Sequence, residues 1–406
     1  MDASRAAAAG RTASPATARR INDRLALQLL QSEGPLTAGQ LKSLTGLSRP
    51  TVADLVERLQ DAGLIAVVGE SGAQRRGPNA RLYGIVADRA HLVGLDLRTH
   101  SATLAVADLL GRVRAERTVP IGPDDTPETA VATALAAVDR ALGAAGAAHP
   151  HTLAVGAPGL VDPATGRLGG NDWIPPWHVA LVGALRDRGT SAVLLENEVN
   201  LAAIAEQRDG AARDRDTFVL LWLGHGTGAA VVLDGALRRG ASGGTGEIGF
   251  LPVPGTGALP SASGCDGGFH SLAGSAAICA LAAEHGLTPD PGPAGPAAAD
   301  APPAEALVRA AATGGHAAFL DALAARIVLG VAAVCAVLDP GCVVLGGEIG
   351  RAGGAALAER VAERLARLSP LRTEVRAGTV GGRAVLLGAV LAARDAAQND
   401  LFAPAS

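Results

Sequence analysis

The stretch FVLLWLGHGTGAAVVLDG, residues 218–235, decides how most of this chain is read. Phe218 to Leu223 is a continuous apolar run, short enough for a buried strand. It ends in Gly224-His225-Gly226-Thr227-Gly228, and Ala229 to Leu233 leads back as a second strand. Asp234-Gly235 makes the next turn. The same rhythm stands earlier in the chain. Leu92 to Asp96 is a strand, Ala102 to Ala107 a second and Val113 to Val119 a third, with Gly111 at a turn. A hairpin unit that opens each half of one α/β segment predicts two lobes around a cleft.

The neighbouring segments fit that reading. Thr126 to Gly146 is an Ala-rich helix. Leu153 to Val155 is a strand running into Gly156-Ala157-Pro158-Gly159, and Val193 to Leu195 is another, with a helix from about Asn200. A later helix over 317–338 leads into the buried strand Cys342 to Leu345 and Gly346-Gly347. Residues 288–304 hold six prolines and several alanines, which predicts an exposed insertion.

Composition sets outer bounds. Of 406 residues, 48% are apolar and 18% charged, which excludes a disordered chain. The net charge of -4 excludes a chain that is basic throughout. It is unevenly spread: residues 1–90 carry 12 Lys/Arg against 8 Asp/Glu, and the rest 23 against 31. A basic head on an acidic body suggests DNA at one end. Nine aromatic residues are too few for a surface that stacks single-stranded nucleic acid. The four cysteines form no framework, so a reducing cytoplasm is expected. Residues 1–20 lack the apolar core of a signal peptide. The apolar run Ile327 to Leu338 is short for a bilayer span, so no membrane partner is expected.

The head reads as a winged helix-turn-helix over 20–87, after a tail at 1–19. Leu25, Leu29 and Leu30 give a first helical stripe. Thr37 and Gln40 have capping-box spacing, with Leu41 and Leu44 following on one face. Gly46-Leu47 makes a turn, Ser48 is an N-cap and Pro50 fits a first turn. Val52, Leu55, Val56 and Leu59 form the stripe of the third helix. Its first turn offers Ser48, Arg49 and Thr51 to base edges and phosphates in the major groove. Two strands then flank Arg75 and Arg76, a wing suited to the minor groove.

Taken together, these segments resemble the ROK family (repressors, open reading frames, kinases), in its transcriptional-regulator branch. The resemblance rests on Gly94-Leu95-Asp96, Glu196-Asn197-Glu198-Val199-Asn200, Gly224 to Gly228, Gly243-Gly244-Thr245-Gly246-Glu247-Ile248-Gly249 and Val344 to Gly350, in that order. It covers roughly residues 20–396. It implies a two-lobed actin/hexokinase-like (ribonuclease H-like) body over 88–396, followed by a tail at 397–406. It also implies double-stranded operator DNA and a sugar or sugar-derived effector as partners, and a homodimer or tetramer. Effector binding in the cleft would close the two lobes and re-aim the heads; repression of carbohydrate-related genes, followed by sugar-induced release, is the commoner form in the family.

The kinase motifs depart from the family pattern. The kinases carry Asp-x-Gly-Gly-Thr at the first hairpin, where this chain has Asp96-Leu97-Arg98-Thr99-His100. Both glycines are replaced, so Arg98 and Thr99 should crowd a γ-phosphate. The catalytic Asp is Glu198 here, one methylene longer, a degenerate base position. No cofactor and no turnover are expected. The resemblance places the effector at Asn197, Glu198, Glu247, Phe250 and Ser271, with Glu196 nearby. Trp173 or Trp177 would offer an aromatic face. Asn197 and Asn200 also suit a helix cap. Phe250 stands where the family has a zinc-binding His, and Ser271 where it has Glu. Cys265, Asp266 and His270 are too few for a structural zinc. Two alternatives stay open: a sugar kinase with residual activity, and a body that only dimerises.

Overall fold

The computed structural model describes residues 15–71, 80–169, 174–261, 266–288 and 299–402. The chain forms two units. One gathers residues up to 91 with 108–112 and 394 onward, and the other holds 92–107 and 113–393.

The first unit is built on three helices and a small sheet: α1 (Pro15–Ser32), β1 (Leu36–Thr37), α2 (Ala38–Thr45), α3 (Arg49–Asp61), β2 (Ile65–Ser71) and β3 (Ala80–Ile85). Thr37 Oγ1 accepts the Gln40 N–H at 3.2 Å, and the Gln40 side chain accepts the Thr37 N–H at 2.9 Å. This reciprocal cap satisfies two backbone donors that a helix start leaves open. Gly46 ends α2 at φ 69°, a conformation open to glycine without strain. Ser48 caps α3, accepting the Thr51 N–H at 3.3 Å, and Pro50 sits in the first turn. Strand β3 lies between β1 and β2, antiparallel to both. Leu27, Leu30, Leu41, Val52, Leu55, Val56, Leu59 and Ile65 are buried together in the head.

Two readings of the head are corrected and a third falls outside the described residues. Leu25 is 38% exposed, because the buried stripe of α1 runs through Ala26, Leu27 and Leu30 instead, and Leu44 is 52% exposed, because α2 turns Leu41 inward. Helical spacing alone allows either face; the side on which α2 and α3 pack decides. The first helix also reaches back to Pro15, inside the expected tail, where Pro is tolerated in a first turn. The expected wing arginines, Arg75 and Arg76, lie outside the described residues.

The second unit repeats one design twice. Its first lobe contains β4 (His91–Leu97), β5 (Ser101–Asp108), β6 (Val113–Pro120), α4 (Pro127–Ala144), β7 (Thr152–Ala157), α5 (Pro176–Asp187), β8 (Ala192–Asn197) and α6 (Glu198–Asp209). The second contains β9 (Phe218–Leu223), β10 (Thr227–Leu233), β11 (Ala236–Arg238), α7 (His270–Ala273), α8 (Ser275–Glu284), α9 (Ala304–Gly314), α10 (Ala317–Leu338), β12 (Cys342–Gly346), α11 (Gly347–Leu368) and β13 (Glu374–Ala377), and the chain then returns to the first lobe as α12 (Ala384–Leu401). The sheet orders are β6-β5-β4-β7-β8 and β11-β10-β9-β12-β13. In both, a hairpin meander is extended by two parallel strands. Each lobe has its own core. Leu95, Leu104, Val138 and Leu181 belong to the first, and Leu221, Phe319, Ile327 and Val361 to the second.

Helix α10 is 22 residues with a mean hydropathy of 2.1, long and apolar enough to cross a membrane. Its Phe319, Leu323, Ile327, Val331 and Cys335 are buried in the second lobe's core. The apolar run seen in sequence is its second half. The helix extends further back because the alanines and leucines of 317–326 also favour helix.

Helix α12 starts against the first lobe. A Cβ at Gly94 would stand 2.9 Å from the Val390 nitrogen, and one at Gly388 1.9 Å from the Leu201 carbonyl oxygen. Two glycines therefore let α12 lie directly on β4 and α6. Its last residues belong to the head's unit. Gln398 Nε2 donates to Gln31 Oε1 at 3.1 Å and to the Leu109 carbonyl at 2.9 Å, and Ala397 and Phe402 are buried. The expected C-terminal tail is thus ordered helix as far as Leu401.

Candidate functional site

Strand β4 ends at Leu97 and β5 begins at Ser101, so Arg98, Thr99 and His100 form the first hairpin turn. Arg98 turns inward. Its Nε donates to Asp96 Oδ1 at 3.0 Å and its Nη1 to Glu348 Oε1 at 2.8 Å. Its guanidinium carbon lies 6.0 Å from the Trp222 ring centre, within cation–π range. His178 Nε2 lies 3.0 Å from the Arg98 carbonyl. Burial holds the His178 pKa down to about 4. The ring is therefore neutral at pH 7, and the nitrogen facing the carbonyl carries its proton. Side chain and backbone of Arg98 are both fixed.

Glu348 is placed by glycine. It follows Gly347, at φ 76°, where a Cβ would stand 2.3 Å from the Leu223 carbonyl oxygen. That close approach carries the start of α11 against the end of β9. Gly224 opens the second hairpin turn beside it: a Cβ there would meet Trp222 Nε1 at 2.7 Å and Glu348 Oε2 at 2.9 Å. The cavity under Arg98 is lined by Glu206, Trp222, Gly346, Glu348 and Arg351. Its volume is about 30 Å³, the space of one water. Small-molecule sites commonly need roughly 300 Å³ or more.

Three carboxylates face Arg98. Desolvation by burial pushes Asp96 up, against the opposing pull of Arg98. Burial likewise pushes Glu198 up to about 7, with Arg98 again opposing and Asp96 reinforcing. Glu198 is the first residue of α6, and its Oε2 is buried without a hydrogen-bond partner. Arg98 is held firmly in its charged form by Asp96, Glu348 and Glu198. Thr227 Oγ1, in the second hairpin, is also buried without a partner.

The expected effector residues divide. Asn197 caps α6: its Oδ1 accepts the Val199 and Asn200 N–H groups at 2.8 and 3.4 Å. Its Nδ2 donates to the Gly159 carbonyl at 3.0 Å. Asn200 does not cap the helix. It is buried and donates to Glu196 Oε1 at 2.8 Å, since the cap position is already filled by Asn197. Glu196 Oε2 accepts Arg239 Nε at 2.7 Å. Glu247 lies on a loop that touches the same wall. A Cβ on Gly244 would be 3.8 Å from Glu247 Cγ and 3.8 Å from Leu160 Cδ2. Asn197 thus bonds the 159–161 segment directly, and the loop that leads to Glu247 reaches it at Gly243, where a Cβ would stand 2.1 Å from the Val161 carbonyl oxygen.

Phe250 is 39% exposed at the end of a short 3₁₀ turn, Ile248–Phe250. Ser271 spends its hydroxyl on the Gly268 carbonyl at 2.7 Å. Trp177 offers no open face. It is buried in the first lobe's core, edge-on to His178. Trp173 and Cys265 lie outside the described residues. Among the described residues, no group of three His, Cys, Asp or Glu side chains is placed to hold a metal ion.

In the head, Arg49 is exposed at the first turn of α3. Ser48 Oγ and Thr51 Oγ1 are 2.8 Å apart and bonded to each other. Both hydroxyls take part in the cap, and the Arg49 side chain beside them is exposed. Sequence reasoning missed Glu348, Trp222, His178 and Arg239. Only Glu348 had a signal, its place after the glycine pair that ends β12.

Comparison with known proteins bears on the family and the fold. The ROK family model matches residues 92–396, and a MarR family model matches residues 21–77. The DNA-binding transcriptional dual regulator NagC of Escherichia coli (strain K12) is 28% identical over 239 residues, 58% of this chain and 58% of that protein. The chain thus matches somewhat more than half the length of that relative. The glucokinase of Thermotoga maritima is 30% identical over 274 residues, 64% of this chain and 83% of that enzyme. A solved ROK family transcriptional regulator, described as a homologue of the E. coli MLC protein, superposes with a TM-score of 0.74 at 22% identity. It covers 95% of this chain and 98% of its own, and shows the shared fold.

Proposed function

Because the chain belongs to the ROK family, we propose that it is a DNA-binding transcriptional regulator whose kinase-like body senses a sugar or sugar-derived effector and does not turn over ATP. Arg98 is the observation that carries this reading. It stands where the family's kinases have a glycine for the phosphates, and its guanidinium bridges Asp96 and Glu348. A γ-phosphate at that position would have to displace a cation already held by two acids. The family relatives named as repressors or regulators support the same reading for the head.

The head would read palindromic operator DNA as a dimer or tetramer, since two-fold operators mirror two-fold proteins. Arg49, with Ser48 and Thr51, would meet the major groove; Arg75 and Arg76 would reach the minor groove or phosphates. The effector would enter by Asn197, Glu198 and Glu247, with Phe250 and Ser271 at the edge. Repression and a cytoplasmic location are part of the proposal. Arg49→Ala should weaken operator binding by about 5- to 150-fold and relax specificity at one base pair. Arg75→Ala with Arg76→Ala should weaken all sequences alike and reduce the salt dependence. Fluorescence anisotropy across a salt series checks both. Unchanged operator affinity in the paired variant would remove the wing from the interface.

One observation favours the kinase alternative. Glu198 stands at the base position with a pKa raised to about 7, suited to general-base work at neutral pH. That reading expects ADP release with a hexose, abolished by Glu198→Gln.

A further inference from the structure

Asp300 stands four residues before α9 and touches both hairpin turns. Its Oδ1 accepts the His100 backbone N–H at 2.7 Å, and its Oδ2 accepts the Ser101 hydroxyl at 2.6 Å. Those donors end the turn between β4 and β5. The carbonyl of Asp300 accepts His225 Nε2 at 3.0 Å, in the turn between β9 and β10. One residue therefore joins the first lobe's hairpin to the second lobe's.

The segment that carries Asp300 is anchored. The Ala304 N–H donates to Ser275 Oγ at 3.2 Å, and the Ser275 N–H donates to the His225 carbonyl at 3.1 Å. The Glu305 N–H closes a turn onto the Pro302 carbonyl at 2.9 Å. Pro302 and Ala304 are buried. The end of the Pro/Ala-rich stretch is thus built into the cleft and not exposed as its composition predicts; residues 289–298 lie outside the described residues.

A turn amide and a hydroxyl converging on one carboxylate are the donors of an anion site. Phosphoryl oxygens accept from the same kinds of donor. Nearby, Arg98 of the first lobe is paired with Glu348 of the second. We propose that Asp300 and Arg98 form an intramolecular latch, in which the chain's own carboxylate and guanidinium occupy the hairpin positions that phosphates occupy in the kinases, and hold the lobes together without nucleotide. The proposal deepens the regulator reading and rests on its assignment of the two hairpins. A latched cleft answers an effector alone, with no nucleotide needed as a second ligand to bring the lobes together.

Hydrogen exchange read by mass spectrometry on the full chain tests it. Asp300→Ala removes the carboxylate and leaves the backbone contact to His225. Exchange over residues 97–101 is expected to rise about tenfold or more, with a parallel rise over 224–227. Asp300→Asn keeps an acceptor oxygen, so its rise should be smaller. Millimolar tripolyphosphate should restore protection in Asp300→Ala and leave the wild type unaffected. Unchanged exchange over 97–101 in Asp300→Ala would overturn the latch. So would protection of the wild type by tripolyphosphate, or no recovery in the variant. Operator binding by the same samples separates the two readings. A protein without the latch still binds operator if it is a regulator. A latched protein that binds no DNA fails the regulator reading alone.

Discussion

Arg98→Met is expected to destabilise the body by about 3 kcal/mol at pH 8, the largest loss from any single cleft substitution considered. Met is close in length and apolar, so the loss reports charge more than volume. Arg98 holds Asp96 at 3.0 Å and Glu348 at 2.8 Å, and its side chain is only 24% exposed. Without it, two largely buried carboxylates face Glu198 with no cation among them. Asp96 is already pushed up by burial, and losing Arg98 removes the interaction that pulls it down. A carboxyl whose folded pKa lies above its unfolded value favours the folded state while protonated. That contribution is fully present below about pH 4 and is lost as pH rises through the folded value. The deficit of the variant should therefore shrink on acidification and be greatest at high pH. Urea denaturation at pH 5 and pH 8 checks this. A deficit equal at both pH values would mean that Arg98 acts by packing.

Glu198→Gln should act in the opposite direction. Glu198 has a folded pKa of about 7, from burial first, against an ordinary glutamate value of 4.5. The protonated form fits the folded state. Its contribution is fully present below pH 4.5, declines as pH rises from there to about 7, and stays lost above. A displacement of that size corresponds to about 3 kcal/mol. Gln is the neutral isostere and does not titrate. The variant should match the wild type at about pH 4.5 and exceed it by about 3 kcal/mol at pH 8. Wild-type stability should fall across this window more steeply than the variant's. A variant less stable than wild type at pH 8 would show that the carboxylate is ionised and paired. Stabilisation together with weaker effector response would be the pattern expected of a binding residue held at a stability cost.

Local sequence signals were enough for the three helices of the head and for the hairpin strands that open each lobe. Thr37 with Gln40, and Ser48 before Pro50, marked two helix starts because caps are made within one turn. The two hairpins were legible because glycine turns interrupt short apolar runs. The 3.6-residue period told that α1 is amphipathic but not which face turns inward, so Leu25 was misplaced. The site was only half legible. Replacement of the glycines by Arg98 and Thr99 predicted a crowded phosphate position. It did not predict Glu348, which lies 250 residues away and meets Arg98 only after both lobes fold. Asp300 was hidden for a different reason. Its surroundings are Pro/Ala-rich, a composition that signals exposure, while its partners are two donors 200 and 199 residues away, at 100 and 101. Trp177 is a core ring and not a sugar-facing one, a distinction that sequence spacing does not make.

Fluorescence anisotropy on the DNA flanking this chain's own gene tests the central claim most directly, titrated first with protein and then with a panel of free, phosphorylated and N-acetylated sugars without nucleotide. The account predicts tight, salt-sensitive binding that one sugar changes by about 5- to 150-fold, the usual range of allosteric coupling. Operator binding that responds only when ATP is supplied with the sugar would contradict it, because the cleft would then still depend on a nucleotide at the position that Arg98 fills.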